Sequence, residues 1–154
     1  MTACMRRMVA GTLAATLAWT PVSLLADGRF AKANLVVPKD DGKAQELEGA
    51  LVSDSRAKQL RFETGGRATV EIPYDRVKGL LYERAAKPRY GMGLLLAWPL
   101  LFTKSKKHFV TVQYTDASGA GKFEIIRLDK GNVTMALATL EADTGIKVER
   151  SEEK

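Results

Sequence analysis

Alternation of apolar and polar residues with a period of two runs through most of the chain after residue 47. In segments 60–64 and 69–74 apolar side chains alternate with polar ones, which is typical of strands with one face on a core and one in water. Gly65-Gly66 between them permits positive φ and predicts a hairpin turn. The same pattern predicts further strands at 47–53, 77–83 and 109–114.

The pattern changes towards the end of the chain. Residues 123–128 predict a strand that is apolar on both faces and therefore needs a cover. An apolar stripe at helical spacing follows, formed by Val133, Ala136, Leu137 and Leu140. Asn132 suits the N-cap of this helix and Gly145 suits its C-terminal end. We expect the helix to cover the strand, and the charged residues 149–154 to form a frayed tail.

These elements predict a mainly β, α+β fold. The expected form is a bent antiparallel sheet or a small barrel of six to seven strands, with one C-terminal helix capping its open end. A single domain is expected over 47–148, because about 128 residues after the export segment suffice for one core and not for two. Residues 27–46 are expected to be a polar leader or a first edge strand.

The first 26 residues carry the three parts of a secretory signal peptide. Arg6-Arg7 gives a positive start, residues 8–18 hold no charge, and Ala26 ends the segment with a small residue. We expect cleavage near Ala26, with Ala31-Lys32-Ala33 as a second candidate site. The protein is then exported, either periplasmic or extracellular, and can lie peripherally on a membrane. An uncleaved anchor helix over 8–26 is the alternative.

The composition leaves little room for catalysis. The only cysteine, Cys4, lies in the export segment and the only histidine is His108, so zinc sites built from these ligands cannot form. Ser55–Lys58 has the Ser-x-x-Lys spacing of penicillin-recognising enzymes, but the companion motifs are missing. We expect no catalysis, no cofactor and no metal, with His108 structural or facing solvent. A small periplasmic hydrolase that uses His108 is the enzyme alternative.

Positive charge is concentrated in one segment, 84–108. The whole chain has 24 Lys and Arg residues against 18 Asp and Glu residues. The segment has no acidic residue, and its basic residues are Arg84, Lys87, Arg89, Lys104, Lys106 and Lys107. They flank an uncharged run, 92–102, whose large apolar residues are Leu94, Leu95, Leu96, Trp98, Leu100, Leu101 and Phe102. We treat these basic and apolar residues as a candidate interaction loop.

Three interpretations of this loop remain open. Its apolar run can be ordinary core packed on the sheet. If exposed, it can enter a membrane interface with Trp98 at headgroup depth and the cations on anionic lipid, or it can dock into a partner protein. The run is too short to span a bilayer, which needs about 20 residues. Export and a modest net charge argue against nucleic acid as the partner.

Five segments also match a known family pattern: Gly49–Val52, Leu60–Phe62, Val70–Val77, Lys106–Tyr114 and Leu140–Gly145. Over about residues 47–148 the chain resembles bacterial pleckstrin-homology-like domains, near the GRAM type. The resemblance implies a seven-stranded bent barrel capped by a C-terminal helix, in a family that mostly binds lipid headgroups, peptides or proteins without catalysis. We therefore expect a binding module of the cell envelope that contacts a membrane surface or a protein through 84–108. A structural envelope protein with this loop as core is the alternative.

Overall fold

The computed structural model describes residues 27–38, 44–85 and 106–152. They form β1 (Gly28–Pro38), β2 (Ala44–Asp54), β3 (Gln59–Thr64), β4 (Arg67–Pro73), a 3₁₀ turn (Tyr74–Arg76), β5 (Val77–Ala85), β6 (Lys107–Thr115), β7 (Gly121–Leu128), α1 (Val133–Thr144) and β8 (Val148–Glu152). The expected signal peptide, and most of the candidate interaction loop, lie outside these residues.

All eight strands belong to one open sheet in the order β4-β3-β2-β1-β7-β6-β5-β8. Neighbouring strands are antiparallel except β5 and β8, which are parallel. The mainly β fold with one helix near its C-terminal end is confirmed. The sheet differs from the prediction of six to seven antiparallel strands in one respect. The segment after the helix adds an eighth strand, β8, which pairs in parallel with β5.

The segment before residue 47 differs from the expected leader or edge strand. β1 is an interior strand that pairs with β2 on one side and β7 on the other. Its inward side chains Phe30, Ala33 and Leu35 are buried in the main core. The register shifts between Ala31 and Ala33, and this β-bulge interrupts the strict alternation by which the strand would have been recognised.

The chain end was also expected differently, as a frayed tail from residue 149. Residues 148–152 instead form the edge strand β8, in register with β5 from Leu80↔Val148 onward. Val148 is 4 % exposed and packs in the main core. The buried Val148 side chain and five residue pairs with β5 therefore keep β8 in the sheet, although the charged residues of this segment suggested that it would be solvated.

One hydrophobic cluster fills the concave side of the sheet. The cluster includes both Ile72 of β4 and Val148 of β8, which are the two edge strands. In a flat sheet neighbouring strands lie about 4.8 Å apart, so the two edges would be too far apart to share one core. The sheet must therefore be strongly bent, as expected. The alternating segments and the helical stripe predict that nine apolar residues lie in one core. Eight of them are buried there, namely Leu60, Phe62, Ile72, Val110, Val112, Val133, Leu137 and Leu140, and the ninth, Val70, is half-buried against them.

Helix α1 packs on this concave side, against β1, β2 and the 3₁₀ turn. Gly145 ends it with φ 69° and donates its N–H to the Glu141 carbonyl. On β7, Ile126 belongs to the main core, which also holds the buried face of α1, but the helix itself packs mainly on β1, β2 and the 3₁₀ turn. Ile125 points the other way and packs with Val36 and Phe109 in a separate cluster on the outer face. The strand is apolar on both faces, as expected, but α1 is not its main cover: one face joins the core that the helix shares and the other joins the outer-face cluster.

Candidate functional site

Strand pairing brings the two described ends of the candidate interaction loop together. Arg84 lies near the end of β5, and Lys106 and Lys107 lie at the start of β6; the register pairs Arg84 with His108 and Ala85 with Lys107. These cations therefore share one end of the sheet. The remaining candidate residues lie outside the described residues: Lys87, Arg89, Leu94, Leu95, Leu96, Trp98, Leu100, Leu101, Phe102 and Lys104.

A cleft of about 490 Å³ opens at this end of the sheet. Its cationic side chains come from four places in the chain: Lys32, Lys106, Lys107, Arg127 and Lys130. Its other polar residues are Asn34, His108, Glu48 and Asp129. Five cations against two carboxylates make the lining positive, and we call it the basic cleft.

A β-bulge sets the backbone that carries Lys32 into the basic cleft. Lys32 has φ 58°, a left-handed conformation that is uncommon for a residue with a side chain. The neighbouring Ala31 carbonyl accepts a hydrogen bond of 2.8 Å from Asn132 Nδ2. Asn132 therefore ties the bulge to the start of α1, and its side chain makes no capping hydrogen bond. Bulges commonly re-aim a side chain at a functional site.

Two of the cleft's cations share a carboxylate on β2. Glu46 lies 3.0 Å from Arg127 Nη2 and 3.6 Å from Lys107 Nζ. By contrast, no ion pair between described residues includes Lys32 or Lys130, and both side chains are exposed. The uncompensated positive charge of the cleft therefore lies on these two lysines.

His108 lies half-buried in the cleft wall. Its Nδ1 is 2.7 Å from the Tyr82 hydroxyl, and the two rings are stacked with centroids 6.0 Å apart. Burial lowers the pKa of His108 below its ordinary value, and the charges of Arg84 and Lys130 lower it further, whereas Asp129 opposes them. The imidazole is therefore neutral at pH 7.

A tight turn after β7 holds Lys130 at the cleft. Asp129 Oδ2 accepts a hydrogen bond of 3.0 Å from the Gly131 N–H, and the Asp129 carbonyl accepts one of 3.0 Å from the Asn132 N–H. These bonds fix the backbone on both sides of Lys130.

The sequence pattern did not point to three of the five cations of this site, Lys32, Arg127 and Lys130. Arg127 could have been found, because the β6–β7 hairpin pairs Phe109 with Arg127 and the turn between these strands was recognisable. Lys32 carried no signal, since its strand was expected to be a leader. Lys130 lies between a strand and a helix, where a lysine is usually just solvated. The described residues contain no group of three or more His, Cys, Asp or Glu side chains that could hold a metal ion.

Within the described ranges, no helix is long and apolar enough to cross a membrane. No family model matches the chain, and no curated protein matches it. Among solved structures it is similar to a chain of the Spt16D–Pob3N heterodimer, with 12% identity and a TM-score of 0.49. The similarity covers 84% of this chain and spans 56% of that one. The strand order and the helix define the fold independently of this distant similarity.

Proposed function

We propose that the protein is an exported, non-catalytic binding module that contacts an anionic partner through the basic end of its sheet. One observation carries the proposal: Lys106 and Lys107 at the end of the candidate loop line one cleft with Lys32, Arg127 and Lys130. These residues come from four places in the sequence, and their convergence puts five cations against two carboxylates at one face of the protein. Such a concentration attracts anionic surfaces and steers them to one face.

An anionic membrane is the partner that best fits the neighbouring sequence. The uncharged run 92–102 with Trp98 lies between the basic flanks, and an apolar tip inside a basic collar suits a lipid interface. Each cation near an anionic bilayer contributes about 1 kcal/mol. An acidic protein surface would use the same cations, and Trp98 would then be the anchor in its groove.

A second candidate is a structural protein in which the run 92–102 is core. The outer-face cluster of Val36, Phe109 and Ile125 favours it, because Phe109 lies only two residues after the start of β6 and is 3 % exposed. An apolar run that lies shortly before β6 in the sequence could cover this cluster in that case. The two candidates differ in what Trp98→Ala changes: binding in the first, stability in the second.

Vesicle co-sedimentation separates these candidates. The purified protein is expected to bind vesicles that contain phosphatidylglycerol, and to be released when salt shortens the Debye length from about 10 Å to about 3 Å. A Lys32/Lys106/Lys130→Ala variant should lose most of this binding. The matched control, Arg67/Lys78/Lys147→Ala, removes three exposed cations elsewhere and should bind nearly normally.

The outcomes of this experiment are distinct. An equal loss of vesicle binding in the cleft variant and in the control would mean that the protein binds through its overall charge. That result would contradict a defined binding surface. Normal binding in both variants, together with a sharply lower melting temperature in Trp98→Ala, would favour the structural candidate. Vesicle binding that is weak at every salt concentration, but capture of an acidic protein that Trp98→Ala abolishes, would favour protein docking.

Export is part of the proposal and has its own test. The signal pattern in residues 1–26 supports it. The intact mass of the protein from its native host should correspond to a chain that starts near Asp27. A mass that still includes Met1–Ala26 would contradict cleavage and leave the anchor alternative.

A further inference from the structure

The basic cleft has the size and charge of a site for a small anion. Its volume of about 490 Å³ lies within the range of about 300–1,000 Å³ that is usual for small-molecule sites. Glu46 pairs with Arg127 and Lys107, whereas no ion pair between described residues joins Asp129 to Lys32 or Lys130. Glu48 is the remaining carboxylate of the lining, and it is exposed.

The two lysines without ion pairs define the charge that a ligand would neutralise. Lys32 and Lys130 are carried by separate elements, the bulge of β1 and the turn after β7, and both line the same cleft. Asn132, which follows that turn closely, binds the Ala31 carbonyl beside the bulge. This hydrogen bond holds the two backbone segments that carry the lysines next to each other, while the lysine side chains themselves are exposed.

His108 adds a hydrogen-bond donor to the pair. When the Tyr82 hydroxyl donates to Nδ1, the proton of the neutral ring lies on Nε2, which can then donate to an anion. The charged groups around the ring are Arg84 from β5 and Asp129 and Lys130 from the turn after β7. A bound dianion would offset the two cations and favour the imidazolium.

We propose that the basic cleft binds a phosphate-ester group between Lys32, Lys130 and His108. A phosphate monoester carries about 1.5 to 2 negative charges at pH 7 and three acceptor oxygens, which matches two ammonium groups and one imidazole N–H. A carboxylate brings a single charge and two oxygens. The inference deepens the proposed function, because it names the chemistry that the same surface recognises.

The only histidine of the chain gives a direct readout. Its ring proton resonances are titrated by NMR in chloride and in inorganic phosphate at equal ionic strength. The pKa of His108 is expected to rise with phosphate concentration and then to saturate. Lys32→Ala and Lys130→Ala should each weaken the phosphate affinity by about 3- to 10-fold, the loss expected for one hydrogen bond of ordinary strength at an exposed site. Lys78→Ala, at the far end of β5, should leave it unchanged.

A second arm identifies the source of the phosphate group. Vesicles with phosphatidic acid present a monoester, and vesicles with phosphatidylglycerol at equal charge present a diester. Competition between inorganic phosphate and phosphatidic acid vesicles would assign the cleft to a lipid headgroup. Saturable phosphate binding without this competition would assign it to a soluble ester.

Either of two results would overturn the inference. The first is a pKa of His108 that does not respond saturably to phosphate. The second is a pKa that responds equally in Lys32→Ala, Lys130→Ala and the wild type. Salt-sensitive binding to phosphatidylglycerol vesicles in that same protein would leave the proposed function standing. Loss of both would contradict both claims, and the two failures are therefore distinguishable.

Discussion

Ser53 and Asp143 lie 90 positions apart and share a hydrogen bond of 2.5 Å, donated by the Ser53 hydroxyl. Ser53 is fully buried at the end of β2, and Asp143 is in the last turn of α1. The same carboxylate accepts hydrogen bonds from Ser55 and from Tyr74, whose hydroxyl is also 2.8 Å from Ser53 Oγ. Burial, above all, raises the pKa of Tyr74, so its hydroxyl remains a donor at neutral pH.

This polar cluster predicts a stability effect. Asp143→Ala should lower the free energy of unfolding by about 1–3 kcal/mol, because it leaves buried hydroxyl groups without their acceptor. Urea unfolding measures the loss. Asp75→Ala, an exposed carboxylate next to Tyr74, is the control and should change stability by under about 0.5 kcal/mol. Equal effects of the two variants would show that the cluster does not hold the helix.

The packing of α1 makes a second prediction. Leu137 is 3 % exposed in the main core, so Leu137→Ala should cost about 2–5 kcal/mol. Met135, on the same helix, is 69 % exposed, and Met135→Ala should be nearly neutral. A loss below about 0.5 kcal/mol for Leu137→Ala would mean that the helix is peripheral to the core.

Gly49 gives a third prediction. A Cβ at this position of β2 would lie 2.1 Å from the Glu63 carbonyl oxygen and 2.9 Å from the Phe62 ring. Gly49→Ala should therefore force β2 and β3 apart and cost more than about 2 kcal/mol. At Gly121 an added Cβ meets nothing within 4 Å, so Gly121→Ala is the matched control. A similar melting temperature for both variants would contradict this close approach.

A fourth prediction concerns pH. The folded protein lowers the pKa of His108 below the 6.5 of an unperturbed histidine, so between the two values the unfolded chain binds more protons than the folded one. Stability should therefore be fully present above about pH 6.5 and fall as the pH drops from there through the folded-state pKa.

Urea unfolding of the wild type and His108→Gln over this pH window checks the fourth prediction. The variant keeps a side chain that can bond Tyr82 and removes the titration. The decline should be smaller in the variant. An identical pH dependence in both proteins would show that His108 does not titrate with folding.

The sequence predicted those elements whose pattern is local and regular. The hairpin at Gly65-Gly66 has φ values of 59° and 80°, as two glycines permit, and the stripe from Val133 to Leu140 forms the buried face of α1. β1 escaped recognition because its bulge at Lys32 breaks the alternation. Strand β8 escaped because pairing with β5, and not its own composition, stabilises it.

The candidate site also has one part that the sequence predicted and one part that only the structure shows. The concentration of charge around Lys106 and Lys107 was visible as a local excess in the sequence. Lys32 and Lys130 could not be added, because only the position of β1 between β2 and β7 and the turn after β7 bring them to the same cleft. The convergence of these lysines depends on the order of strands in the sheet, which no short sequence segment determines.

Mapping where an anionic surface contacts the protein tests most directly whether the basic cleft is the binding surface. Amide ¹H–¹⁵N spectra are recorded with lipid nanodiscs that contain phosphatidylglycerol, and with zwitterionic nanodiscs as the control. Among the described residues, the largest changes are expected at 32–34, 106–108 and 127–130, and only with the anionic lipid. Changes centred on the opposite turn, 116–121, or equal changes with both lipids, would contradict the basic cleft as the contact surface.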